Sequence, residues 1–137
     1  MKGSSKVFLK DVIDLRNFAK KFAKTLKAPQ TIALHGDLGV GKTEFARAII
    51  KEFFGKDTTV PSPTFTIVQE YGIISHFDLY RIKNISELEE IGFNDAIYKN
   101  IVLVEWPEKA EYFMPENAIH IYLSIKDDGR EIEIKNN

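Results

Sequence analysis

Residues 36–43, with the sequence GDLGVGKT, have the types and spacing needed to hold phosphate groups. The glycines let the chain turn tightly, so that successive backbone N–H groups point at phosphate oxygens. Lys42 would then reach the β and γ phosphates, and the hydroxyl of Thr43 would coordinate Mg²⁺. The pattern therefore predicts a P-loop that binds a nucleoside triphosphate together with Mg²⁺.

A site of this kind needs a carboxylate from outside the loop to hold Mg²⁺, usually where a buried strand meets the ligand. Glu105 directly follows the apolar run 101–104, and Asp78 ends a run of strand-forming residues. We expect one of these carboxylates to bind the metal and the other to orient water or a neighbouring group. The residues alone leave the assignment open.

Two other residues are candidates for a role at the same site. Thr64 lies in the segment PSPTF (61–65), between the P-loop helix and the next strand. A hydroxyl in that position can sense the γ-phosphate and Mg²⁺ in switch proteins, although turn formation explains it equally well. Trp106, the single tryptophan, is either a functional lid or partner contact, or a core aromatic.

The guanine-specific pattern Asn-Lys-x-Asp is missing, so ATP is the predicted nucleotide. A small-molecule kinase is an alternative, but it needs clustered cations around the transferring phosphoryl group. The arginines at positions 16, 47, 81 and 130 form no such signature. The histidines are scattered as well, which gives little support for a histidine metal site or a catalytic triad.

Composition narrows the class of protein. The 137 residues include 19 basic and 20 acidic side chains, and a formal net charge of −1 predicts no strong nonspecific affinity for nucleic acid. Cysteine is absent, no apolar stretch is long enough to span a membrane, and residues 1–5 precede no apolar signal core. We expect a soluble, cytoplasmic protein.

Apolar spacing predicts the elements that position these residues. Helical periodicity runs from Asp11 to Leu26 and again from Lys42 to Phe54, on either side of a short buried strand at 31–34 and the P-loop. Residues 57–64 carry prolines and hydroxyl groups, which favours irregular structure. This strand–loop–helix order is the one in which a P-loop functions.

The second half of the sequence predicts mainly strands. We expect strands at 65–70 and 73–79 divided by Tyr71-Gly72, a buried strand at 101–104, and a terminal hairpin of 119–125 with 132–134. Ser86 and Glu89 have the capping-box spacing for a helix over 87–91, and a second short helix starts near Asn94. The predicted fold is one α/β domain over 1–137, with a mostly parallel central sheet, antiparallel hairpin additions and helices on both faces.

Five segments together resemble the TsaE family of bacterial P-loop ATPases, also called the YjeE family. They are GDLGVGKT (36–43), PSPTF (61–65), HFDLYR (76–81), EIGF (90–93) and VEWPE (104–108). The resemblance runs in order along nearly the whole chain. It implies a cytoplasmic ATPase needed to make N6-threonylcarbamoyladenosine at position 37 of tRNA. In that pathway the partners TsaB and TsaD transfer the threonylcarbamoyl group to tRNA, and the ATP cycle resets their complex.

The same resemblance implies roles for individual residues. Thr43 and Glu105 hold Mg²⁺, while Thr64 and Asp78 belong to the switch and catalytic region with Lys42. Asp11 corresponds to a polar residue that the family has near the nucleotide base, and Gly129-Arg130 corresponds to a late Gly-Arg pair of the family. The residues that bind the nucleotide are then Asp11, Asp37, Leu38, Gly39, Val40, Gly41, Lys42, Thr43 and Arg130. The alternative hypothesis is a nucleotide-gated scaffold, in which ATP hydrolysis is incidental and a partner protein recognises the ATP-bound conformation.

Overall fold

The computed structural model describes residues 3–61 and 67–136. Within these residues, seven strands form one sheet in the order β1-β7-β6-β2-β5-β4-β3. The strands are β1 Gly3–Leu9, β2 Gln30–His35, β3 Val68–Tyr71, β4 Ile74–Asp78, β5 Ile101–Glu105, β6 Ile119–Lys126 and β7 Gly129–Asn136. The helices are α1 Val12–Ala23, α2 Lys42–Phe54, α3 Ser86–Glu90 and α4 Phe93–Lys99, followed by a 3₁₀ helix over Pro107–Phe113.

The four central strands, β6, β2, β5 and β4, are mutually parallel, and antiparallel partners extend the sheet at both edges. Every residue of β4 and β5 is buried, as expected for parallel strands covered on both faces. The predicted α/β class, with a parallel centre and antiparallel hairpin additions, is confirmed.

Each face of the sheet has its own apolar core. On one face α1 and α2 pack against the sheet, with Phe45 and Ile49 of α2 fully buried beside Ile32 of β2. On the other face α3, α4 and the 3₁₀ helix cover the β4–β5 side, where Phe77 and Phe93 meet edge to face at 5.0 Å. Both cores contain residues of β5, which ends at Glu105, and the first core also contains Ile32 and Leu34 of β2, the strand that leads into the P-loop.

Two local expectations were wrong, and one strand was not predicted. No prediction covered the residues before Asp11, where β1 pairs with β7 from Gly3↔Asn136 to Leu9↔Arg130. Its first half is polar, so the signal was weak, and it forms because β7 offers an open edge. The first hairpin turns at Gly72-Ile73 instead of Tyr71-Gly72, since Tyr71 still pairs with Ile74.

The capping box at α3 was also predicted wrongly. Ile85 occupies the N-cap position, and Ser86 is already helical with no capping hydrogen bond. The Glu87 carboxylate instead accepts backbone N–H groups from Lys83 at 2.6 Å and Asn84 at 3.1 Å. These two bonds lower the pKa of Glu87. The helix start is thus stabilised by an acid one residue inside it.

Candidate nucleotide-binding site

The glycine-rich loop leaves the carboxyl end of β2 and enters α2 without a side-chain cap. Gly41 is the N-cap of α2 with a φ of 114°, a left-handed conformation that glycine adopts without strain. The first N–H groups of α2 therefore keep no side-chain partner and face the loop. A helix of 13 residues that begins this way has the charge distribution of an anion site.

Gly36 begins the loop in a position that no larger residue fits. Its φ is +144°, and an added Cβ would lie 2.6 Å from the Leu123 oxygen and 2.7 Å from Val40 Cγ1. We expect Gly36→Ala to lower the free energy of unfolding by about 2 kcal/mol or more, measured by urea denaturation. Gly39→Ala is the control, because its φ is +76° but no atom lies within 4 Å of the added Cβ. Equal losses in both variants would contradict the close-approach explanation.

Lys42, the first residue of α2, points into the loop. It is buried, its Nζ donates a hydrogen bond to the Gly36 carbonyl, and the same atom lies 3.6 Å from the centroid of the Trp106 ring. Burial lowers the pKa of Lys42, whereas the carboxylates of Glu105, Glu108 and other acids oppose this shift. A cation already desolvated and surrounded by oxygen acceptors and an aromatic face is well suited to contact phosphate.

Thr43, Glu105 and His76 form one hydrogen-bonded chain behind this lysine. The Thr43 hydroxyl donates to the Glu105 carboxylate, with oxygen separations of 2.8 and 3.1 Å. His76 Nε2 lies 2.7 Å from Glu105 Oε2, and both side chains are buried. A carboxylate accepts hydrogen bonds, so Nε2 carries the proton and donates it. His76 Nδ1, buried on the other side of the ring, has no hydrogen-bond partner in the described part of the chain.

The Thr43 hydroxyl and the Glu105 carboxylate are adjacent oxygen groups of the kind that Mg²⁺ prefers as ligands. The observed 2.8 and 3.1 Å are the separations of the Thr43–Glu105 hydrogen bond, and they bring both oxygens close enough to contact one small cation. The described residues include no cluster of three or more His, Asp or Glu side chains that could hold a metal.

Asp78 lies beside Glu105 on the neighbouring strand. The two residues are register partners of β4 and β5, and both are buried at the carboxyl end of the sheet. Asp78 Oδ1 accepts the backbone N–H of Tyr80 at 3.0 Å. This bond fixes the carboxylate at the mouth of the strand, where it faces the same space as Thr43.

These side chains line one cleft of about 570 Å³. The predicted site residues that line it are Asp11, Leu38, Gly39, Val40, Gly41, Lys42, Thr43, Asp78, Glu105 and Arg130. Asp37 lies at the exposed start of the loop, outside this lining, and its carbonyl accepts the Val40 N–H at 3.3 Å. Thr64 lies outside the described residues, so its predicted role stays a prediction.

The far end of the cleft joins the N- and C-terminal parts of the chain. The Asp11 carboxylate caps α1 by accepting the Asp14 N–H at 2.9 Å. Arg130 Nε donates to the Val40 carbonyl at 2.9 Å, which ties β7 to the P-loop. Asp11 and Arg130 are thus about 120 positions apart in sequence but share one wall of the cleft with the loop.

His76 is the residue that sequence reasoning missed, since the histidines were regarded as scattered. The alternation of side chains along a strand could have predicted its position. His76 lies two residues before Asp78 in a buried strand, so the two side chains lie on the same face of the sheet. The sequence does not distinguish a lid or partner contact from a core aromatic at Trp106. In the structure Trp106 is half-buried, and its ring contacts both Lys42 and Tyr80. It therefore contacts the site directly.

A histidine pair lies directly beside the start of the loop. His35 Nε2 and His120 Nδ1 are 2.9 Å apart, and the His35 ring stacks on Tyr122 at 4.3 Å. Burial and the neighbouring His120 lower the pKa of His35 to about 4 from its usual 6.5. Burial also lowers the pKa of His120.

This pair predicts a loss of stability in acid. Between pH 6.5 and about 4 the unfolded chain binds a proton at His35 that the folded chain excludes, so stability falls as the pH falls through this window. We expect the melting temperature of the double variant His35→Gln/His120→Gln to fall less than that of the parent from pH 7 to pH 5. Parallel melting curves for the two proteins would contradict this assignment.

The fold and the cleft together define an α/β domain with a glycine-rich loop between a central parallel strand and a helix. The TsaE family, described as "Threonylcarbamoyl adenosine biosynthesis protein TsaE", matches residues 9–132. The chain belongs to this family. In the described residues, no helix combines the length and apolar character that crossing a membrane requires.

Individual relatives agree with this assignment. The chain is 41% identical to the tRNA threonylcarbamoyladenosine biosynthesis protein TsaE of Rickettsia bellii, covering 94% of this chain and 92% of that protein. It is 39% identical to the protein of the same name from Haemophilus influenzae, over 93% and 86% of the two chains. The crystal structure of YdiB from Bacillus subtilis superposes with a TM-score of 0.77 at 27% identity, over 99% of this chain and 87% of that one.

Proposed function

We propose that this protein is a Mg²⁺-dependent ATPase that sustains the formation of N6-threonylcarbamoyladenosine in tRNA by a complex of TsaB and TsaD homologues. The observation that carries the ATPase part is the Thr43–Glu105 contact of 2.8 Å, directly behind the buried amine of Lys42. A hydroxyl, a carboxylate and a lysine converge there at a helix N-terminus, which is the arrangement that binds Mg²⁺ and polyphosphate. The pathway part rests on family membership and on the names of the relatives.

The phosphate end of the site follows from the loop. Backbone N–H groups of residues 39–43 surround the phosphate oxygens, and Lys42 exchanges its bond to the Gly36 carbonyl for the β and γ phosphates. Thr43 and Glu105 are the protein ligands for Mg²⁺, which would neutralise charge on the phosphates. His76 is a positioning residue, because its hydrogen bond fixes the orientation of the Glu105 carboxylate.

Asp78 is the carboxylate proposed to orient the attacking water. It lies one strand away from Glu105, and the Thr43 hydroxyl is bonded to Glu105. A carboxylate held at the strand end can accept a hydrogen bond from water opposite the leaving phosphate. Glu105 is therefore the proposed metal ligand, and Asp78 is the residue proposed to orient water.

The far end of the cleft accommodates the base, which we take to be adenine. Asp11 and Arg130 offer polar groups at this end, and the exposed side chain of Val12 offers an apolar surface for the ring. The TsaB and TsaD homologues are the proposed partners, tRNA is reached through their complex, and the place of action is the cytoplasm. These assignments extend to this chain what the family role implies.

A reconstituted modification assay tests the proposal. Purified TsaB and TsaD homologues from the same organism, unmodified tRNA and threonylcarbamoyl-adenylate are mixed with or without this chain. We expect many modified tRNAs per TsaD with the chain, ATP and Mg²⁺ present, and about one or fewer when any of the three is left out. Full multiple turnover without the chain would contradict the proposed role.

The segment from Asp57 to Thr64 should respond to the nucleotide. The carbonyl of Val60 accepts a hydrogen bond from Arg47 of α2 at 2.9 Å, so the described part of this segment contacts the P-loop helix. We expect its amides to gain hydrogen-exchange protection when a non-hydrolysable ATP analogue binds with Mg²⁺, because γ-phosphate contacts order such segments. ADP is the control, and it should give a smaller gain. Identical protection with both nucleotides would remove the switch hypothesis.

A further inference from the structure

A second cleft, of about 690 Å³, lies between α1 and α2 and is lined by basic side chains from three segments. Arg16 and Lys20 come from α1, Arg47 and Lys51 from α2, and Lys56 from the turn that follows. With Glu44 and Glu52 also present, five positive and two negative side chains give this lining a formal charge of +3. We call it the basic groove. The whole chain carries −1, so the groove concentrates positive charge that the composition conceals.

The two arginines of the basic groove are held in fixed positions. Arg16 Nε donates to Glu44 Oε1 at 2.9 Å, and Arg47 Nη1 donates to Glu44 Oε2 at 3.1 Å. Arg47 Nε also donates to the Val60 carbonyl at 2.9 Å. One carboxylate therefore orients two guanidinium groups, whose remaining N–H donors are available to an anion at little further cost in side-chain entropy.

The three lysines of the basic groove form no close ion pair with another described residue. Lys20, Lys51 and Lys56 have no ion-pair partner within residues 3–61 and 67–136. Ala48 and Gly55, which also line the groove, are small and let a ligand approach the helices closely. Cations that come from separate elements and lie around one concave surface match a series of phosphates better than a single carboxylate.

We infer that the basic groove binds the phosphodiester backbone of RNA. The choice of RNA over an acidic protein rests on the family, which serves a modification of tRNA, and it does not depend on ATP hydrolysis. Glu44 lines both the basic groove and the nucleotide cleft, so the two sites are adjacent. This direct contact with RNA would add to the contact made through the proposed TsaB–TsaD complex, although the net charge of the whole chain predicts weak nonspecific binding.

Fluorescence anisotropy with a labelled, unmodified tRNA transcript tests this inference. We expect the triple variant Lys20→Ala/Lys51→Ala/Lys56→Ala to bind on the order of tenfold more weakly than the parent at low salt. The dependence of log K on log salt should become less steep by about 2, from about 0.7 for each lost single-strand phosphate contact. The matched control, Lys83→Ala/Lys99→Ala/Lys109→Ala, removes the same charge from other exposed positions and should bind like the parent.

Two further variants and probes separate the possible outcomes. Replacing Lys20, Lys51 and Lys56 by arginine keeps the charge, and this protein should bind tRNA as the parent does. All variants should still bind a fluorescent ATP analogue, because these lysines do not line the nucleotide cleft. The inference is overturned if the parent does not bind tRNA, if both alanine triples weaken binding equally, or if the arginine triple loses it. It is also overturned if polyglutamate of equal charge binds the parent more tightly than tRNA does, which would favour an acidic protein as the ligand.

Discussion

Replacing Lys42 by alanine is expected to lower the rate of ATP hydrolysis by about 10²-fold or more. The Lys42 amine is the buried cation that points into the P-loop, and removing one preorganised donor from a developing negative charge has an effect of this size. ATP affinity should also fall, because the same amine contacts phosphate before reaction. The fold should survive, since the change removes a desolvated charge from a helix start.

Phosphate release at saturating ATP and Mg²⁺ measures this effect, with circular dichroism as the check on folding. Lys109→Ala is the control, because it removes an exposed lysine that does not line the cleft. A Lys42→Ala protein that hydrolyses ATP as fast as the parent would show that the cleft has been assigned wrongly.

The second large effect is expected for Glu105→Gln, which should lower hydrolysis about 10²-fold while ATP binding is retained. Glutamine keeps the shape of the side chain, and its amide oxygen can still accept a hydrogen bond from the Thr43 hydroxyl. It removes the negative charge proposed to hold Mg²⁺. It also replaces an acceptor of the His76 N–H by an amide that can present the wrong group.

Two assays on Glu105→Gln separate an ATPase from a nucleotide-gated scaffold. Phosphate release should fall, and multiple-turnover tRNA modification should fall with it. Glu116→Gln is the matched control, since it makes the same change of charge at an exposed position outside the cleft lining. Normal modification by a Glu105→Gln protein that no longer hydrolyses ATP would favour the scaffold.

The parts of the site that lie close together in sequence were predictable. Residues 36–43 carry their own signal, because the glycines, the lysine and the threonine must stand at fixed spacing to surround a phosphate. Asp78 and Glu105 were predictable as neighbours, since both end apolar runs and the ends of parallel strands share one edge of a sheet. The structure makes them register partners.

The parts that depend on distant pairing were harder to predict. No periodicity in residues 3–9 indicates a strand, because β1 is held mainly by the free edge of β7. The Arg130–Val40 bond was not predicted, because it joins the last strand to the first loop and no spacing in the sequence indicates it. The basic groove was hidden for the same reason: its cations come from three segments and cancel against acids elsewhere in the composition.

The role of His76 was unpredictable for a different reason. A histidine in a buried strand is compatible with core packing, with metal binding or with a hydrogen bond to a neighbour, and sequence spacing does not distinguish them. Its contact with Glu105 depends on β4 and β5 being adjacent and parallel, which places His76 opposite Leu103 in the same sheet. Only the strand order reveals that the ring supports the carboxylate.

Release of labelled phosphate from ATP carrying a ³²P γ-phosphate tests the central claim most directly. The purified chain is incubated with this nucleotide in Mg²⁺ or in EDTA, alone and with the TsaB and TsaD homologues and a cell metabolite extract. We predict free inorganic phosphate in Mg²⁺, little or none in EDTA, and no label on any metabolite. Absence of phosphate release in Mg²⁺ with the partners present, or transfer of the label to a metabolite, would contradict the proposed ATPase.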